Sequence, residues 1–344
     1  MSRISNVSIG PADLVGAAFS TPLFSLVVAL VVAGLVLALS GSERSDRAVA
    51  RNTVARSRYA PESRTLGAVA IATVVIFVGE NILRGYILNV ADVVSWWRFA
   101  LPLILSALGL IVLLGLIVTR GTTPPEIPVA NGARRSWTTF GPGLGIGAAC
   151  ASLAALLATT IPAGLASSPD DRGRYIWLVI PVPNEATIDP IRQWFYGWAY
   201  GVPVLACLAV LVPATWAVLH YNASRPYLRP ETVIDERGAR REIAAGTVRV
   251  ALAGMLIALA GAWRFIAQAG TGSQLIINGE NGGAPYDVTW RYAELAVAGG
   301  WLAPVLEIIA FTVLLIVAAR GLRRSTRGSV GNHDELTTSD ASAQ

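Results

Sequence analysis

Seven runs of about twenty apolar residues, their ends marked by arginine, proline or tryptophan, constrain this chain more than any other feature. Hydrocarbon about 30 Å thick offers the backbone no hydrogen-bond partners. A crossing segment must therefore satisfy itself, and a helix does so in about 20 residues. The runs predict spans from about Thr21 to Leu39, Leu66 to Leu88, Phe99 to Thr119, Gly143 to Leu165, Ala199 to Leu219, Thr247 to Ala267 and Trp301 to Ala319. Composition agrees: 53% of the 344 residues are hydrophobic and 14% charged, where a soluble protein carries about 25% charged residues. The expectation is an all-α integral membrane protein, a seven-span helix bundle over residues 21–319. An extracellular segment, 1–20, precedes it, and a disordered cytoplasmic tail, 320–344, follows.

Arginine sets the predicted direction, because basic residues stay on the cytoplasmic side. Eighteen arginines fall between Ser40 and Thr65, Arg120 and Pro142, Tyr221 and Gly246, and after Ala319. Seven fall on the other side: Arg3, Arg84, Arg98, Arg172, Arg174, Arg192 and Arg291. The amino terminus is therefore expected outside and the carboxyl terminus inside. Two outer connections of about thirty residues follow, from Ala166 to Trp198 and from Gln268 to Gly300. Reading Ala38-Leu39-Ser40 as a signal-peptide cleavage site would place six arginines outside or remove one span, and the same rule disfavours it.

All basic residues are arginine, with no lysine, the codon bias of a GC-rich bacterial genome and hence of a bacterial plasma membrane. Without a lysine amine no retinal Schiff base can form. His220 and His333 cannot supply paired haem ligands or a histidine zinc triad inside the membrane, so neither cofactor nor metal is expected. Nor is a nucleic-acid partner. The expected partners are the bilayer itself and a protein at the arginine-rich inner loops, which read as solvated or touching anionic headgroups. Cys150 and Cys207 lie at different depths and are expected as free thiols.

Several motifs carry less than they suggest. Gly143, Gly145 and Ala148 match a dinucleotide fingerprint, but no strand precedes them and no acid follows before Asp170. Gly143, Gly147, Ala151 and Ala155 instead form a small-residue stripe that would let a second helix approach closely. Pro102, Pro203 and Pro304 are evenly spaced, which fits either a triplicated hairpin with three helix bends or coincidence. The β-branched and aromatic stretch Arg174 to Ile180, and Gln274 to Ile277 before Asn278-Gly279, read as short strands or interfacial segments. Anchoring by Trp177, Trp194, Trp198 and Trp290 favours the plain interfacial loop.

Ionisable residues inside spans are the most informative for chemistry, since each costs at least a few kcal/mol in hydrocarbon unless paired or hydrated. Depth counting places Glu80, Arg264 and Glu307 in one layer about 9 Å under the outer surface, with Arg84 one turn above Glu80. One reading is a solute or proton site open to the outside, with Arg264 holding an anionic group. The other is a structural ion-pair network joining the second, sixth and seventh spans, with Arg84 snorkelling to the surface. Three function classes follow: an accessory, structural or sensory membrane component; a permease-like transporter; and an enzyme. The third finds no nucleophile with its base and no metal set. Asp170, Asp171, Glu185 and Asp189 on an outer loop carry no catalytic motif.

Overall fold

Among the described residues, seven helices are long and apolar enough to cross a membrane. The computed structural model describes residues 22–42, 53–88, 93–121, 136–182, 189–272, 274–275 and 286–341; the segment 1–20 and the turn at Asn278-Gly279 lie outside them. The helices are α1 (Pro22–Ser42), α2 (Thr53–Ile82), α3 (Leu101–Gly121), α4 (Gly143–Ala166), α5 (Trp198–Ser224), α6 (Val233–Gly270) and α7 (Ala293–Ala341). α2 ends in one turn of π-helix, Leu83–Ile87.

Two helices run well past the hydrocarbon that predicts them. α2 starts at Thr53 rather than Leu66, and α6 at Val233 rather than Thr247. At 1.5 Å per residue the 38 residues of α6 span about 57 Å, nearly twice the apolar thickness of a bilayer. Apolar length marks only the membrane-embedded part of such a helix. The polar remainder forms because buried charges hold it, as described below. α7 likewise begins at Ala293, and its backbone is helical through Ala341.

α6 is the axis of the bundle, packed by α2, α3, α4, α5 and α7. Its apolar window is 83% buried inside the protein, against 17% for α1 and for α4. Small residues make this possible. A Cβ on Gly254 would strike Ser106 Oγ of α3, so the two backbones approach at a distance only glycine permits. α2 and α7 cross in the same manner, a Cβ on Gly321 falling 2.8 Å from Gly67 Cα.

Three expectations are corrected here. The stripe of Gly143, Gly147, Ala151 and Ala155 is exposed, and α4 packs instead through Ser152, Leu156, Thr160 and Ala163. Small residues permit close approach without demanding it. Pro102 is the second residue of α3, where the missing N–H leaves the hydrogen-bond ladder intact, whereas Pro203 and Pro304 lie inside α5 and α7. The three prolines thus occupy inequivalent positions. Third, the stretch 174–180 is no plain interfacial loop.

Tyr175–Ile180 is the central strand, β2, of an antiparallel sheet with β1 (Ser168–Pro169) and β3 (Ile191–Trp194). Its alternation buries Ile176, Leu178 and Ile180, while Trp177 meets Trp194 edge to face at 5.9 Å. A smaller pair, β4 (Gln274–Leu275) and β5 (Tyr286–Asp287), forms in the other long connection. Cys150 is exposed, Cys207 is half-buried, and both are free thiols.

The turn into β2 is built on Asp170, which accepts hydrogen bonds from the Arg172 and Arg174 amides at 3.0 and 2.7 Å and from Arg174 Nε at 2.8 Å. Gly173 supplies the left-handed residue, φ 74°. Slight burial pushes the Asp170 carboxyl up, but the bonds from Arg174 and from the two amides outweigh it and hold the group below the ordinary carboxylate value. A depressed folded value adds stability above the unfolded value of about 3.9, lost as pH falls through the folded one. In protein labelled with ¹⁵N-arginine, the Arg174 amide should titrate with a midpoint below 3.9. A midpoint at or above that value would contradict the turn geometry.

Candidate functional site

The loop-rich end of the bundle carries the charges that sequence placed within spans. Arg264 of α6 donates to Glu307 of α7 through Nε at 3.2 Å and Nη2 at 2.7 Å, a two-pronged pair. Ser25 of α1 donates to the same carboxylate at 2.7 Å. Glu307 is 2% exposed, and a carboxylate so buried must be paired. Three helices are thereby tied at one point. Glu80 belongs to a second pair, with Arg84 at 3.8 Å. The π turn holds the Arg84 guanidinium inward, where it donates to the Val93 carbonyl at 2.6 Å. Arg84 is therefore buried rather than snorkelling to the surface.

Beside the Arg264–Glu307 pair opens a cleft of about 60 Å³, enough for a few water molecules. Its polar lining is Asn81, Arg98, Arg264, Gln268 and Glu307. Phe77, Phe99 and Phe265 wall it. The Arg98 guanidinium lies over the rings of Phe99 and Phe265, at 5.2 and 5.3 Å from their centroids. Among the described residues it forms no ion pair. Burial first, and then repulsion from Arg84, push its pKa below the ordinary guanidinium value, with Tyr200 and Glu80 opposing. It nonetheless stays cationic, as arginine does throughout proteins.

Sequence reading placed Glu80, Arg264 and Glu307 in one network of the second, sixth and seventh spans without choosing the acid that pairs with Arg264. The structure has two separate pairs, ties Glu307 to the first described helix through Ser25, and adds Arg98, Asn81 and Gln268, which the sequence reading missed. Arg98 counted there only as an outer-loop charge. Its place in Trp96-Trp97-Arg98-Phe99 was the available signal, because an arginine set among aromatic rings is poised to stack.

A second cluster was missed entirely, at the opposite end of α6. Arg240, fully buried, donates to the carbonyls of Arg225 and Pro226 at 2.7 and 2.9 Å and to the Tyr59 hydroxyl at 3.1 Å. Glu236 accepts from Tyr59, from Thr232 Oγ1 at 2.8 Å and from the Leu228 amide at 3.1 Å. Arg225 bridges Glu62 at 3.0 Å and the Ile117 carbonyl at 2.9 Å. These are the residues that sequence reads as solvated inner loops; the structure buries them. They staple the polar extensions of α2 and α6 to the end of α5, which explains why both helices continue beyond the apolar span.

Among the described residues, no group of three or more His, Cys, Asp or Glu could hold a metal ion. No protein-family model, curated protein or solved structure matches the chain. Function is accordingly read from the two charged layers themselves.

Proposed function

We propose that this chain is a bacterial plasma-membrane protein of permease-like character, with its amino terminus outside and carboxyl terminus inside, that admits a small solute to the outer-leaflet cleft. The arginine asymmetry supports the orientation. One observation carries the function: Arg98, Asn81 and Gln268 border open space beside the Arg264–Glu307 pair, at the layer where charges inside spans mark solute routes. An accessory or structural role, with partners at the arginine-rich loops, is the second reading. It is favoured by the two-pronged bond that already fills the fork of Arg264.

The test is a flux screen on the full chain in proteoliposomes, repeated with Asn81→Leu and Gln268→Leu, which alter the lining and leave both ion pairs in place. Expected is a solute whose uptake falls at least tenfold in both variants, while each still melts as a folded protein. If no solute crosses, or the variants transport as well as the parent, the accessory reading stands instead.

A further inference from the structure

Among the described residues, the charges around the cleft do not balance. Arg98, Arg264 and Glu307 line it, and the Arg84–Glu80 pair lies close enough to act on Arg98, which makes three guanidiniums against two carboxylates. The two pairs account for four of the five. Arg98 is left with two phenylalanine rings, which attract a cation through their quadrupoles but carry no charge to cancel it. Arg98 is half-buried, and a cation held partly out of water favours a counter-ion beside it. The neighbouring Gln268 amide is a hydrogen-bond donor suited to an oxygen-bearing or halide anion, and the Asn81 amide, which spends one N–H on the Phe77 carbonyl at 2.8 Å, keeps a second.

We propose that the cleft binds a small monovalent anion, the size of chloride, formate or acetate, with Arg98 as its principal charge. Size follows from the volume: about 60 Å³ suits two to four heavy atoms better than a sugar acid. Valence follows from the surplus, since one negative charge brings the layer to neutrality and a dianion would overshoot it. The stacking on Phe99 and Phe265 holds the guanidinium in place before the anion arrives, so little side-chain entropy is lost on binding.

This inference takes its site from the permease-like reading, yet binding can be measured without transport. The full chain, in an uncharged lipid-free detergent, is melted in rising chloride, formate or acetate at constant ionic strength, with gluconate as the balancing anion. A ligand that binds only the folded state raises the melting point saturably, here by about 2–5 °C. Arg98→Gln should abolish that rise without lowering the melting point in gluconate, because it removes an unbalanced charge; Arg98→Lys should keep part of it. No saturable rise in the parent, or an undiminished rise in Arg98→Gln, overturns the proposal. So does a rise seen only in Asp92→Asn, since the chain's own carboxylate would then hold the place. Asp92 precedes Arg98 by six positions and lies outside the described residues. Anion binding that depends on Arg98, with no flux in the liposome screen, keeps the site and rejects the permease-like reading. Flux indifferent to Arg98 does the reverse.

Discussion

Replacing Arg240 by methionine should be among the most damaging single changes in this protein, costing about 3–5 kcal/mol. The loss is twofold. The Arg225 and Pro226 carbonyls lose their donor, and Glu236 keeps its charge in a place without solvent. In a detergent melt the expected fall is of order 5–10 °C, and Arg240→Met combined with Glu236→Gln should recover part of it. A single variant melting within about 1 °C of the parent would show that this cluster does not hold α2, α5 and α6 together.

At the other end, Arg264→Met and Glu307→Gln should each destabilise, and their double-mutant cycle should show a coupling of about 1–3 kcal/mol. The corresponding cycle with Glu80→Gln should be additive within about 0.5 kcal/mol, because Glu80 is the partner of Arg84. Ser25→Ala adds an independent check. It takes a hydroxyl from the Glu307 carboxylate and should cost about 1–2 kcal/mol. Strong coupling to Glu80 and none to Glu307 would mean that the pairing described here is wrong.

The seven helices were readable because hydrocarbon imposes one composition on any segment that crosses it. The common depth of Glu80, Arg264 and Glu307 was readable for a related reason, since a fixed rise per residue turns sequence position into depth, but depth alone did not choose Glu307 over Glu80 as the partner of Arg264. Neither argument reaches the cluster around Arg240. Outside the hydrocarbon, a helix rich in arginine and glutamate has the same composition whether it faces water or another helix. The spacing of Arg58 with Glu62, and of Glu236 with Arg240, was nonetheless a helical i,i+4 signal that these polar segments were ordered. The sheet was obscured differently. Strands as short as Ile191–Trp194 and Ser168–Pro169 are specified by the neighbours that pair with them, and tryptophan at a membrane surface is common enough to hide them. The exposed stripe on α4 shows the converse, a pattern able to support a contact that is not made.

The first described helix, α1, packs chiefly against α7, the last of the described helices to be synthesised. Some 265 residues separate Ser42, where α1 ends, from Glu307, which receives the Ser25 hydroxyl. At ribosomal rates of about 5–20 residues per second, α1 waits roughly 15–50 s in the membrane before its partner exists. The Ser25–Glu307–Arg264 junction therefore closes late in biogenesis and joins the two ends of the bundle when it does. A nascent chain stalled after α6 would present an undocked amino-terminal helix and an Arg264 deprived of its carboxylate, features by which membrane quality-control proteases could tell an unfinished molecule from a finished one.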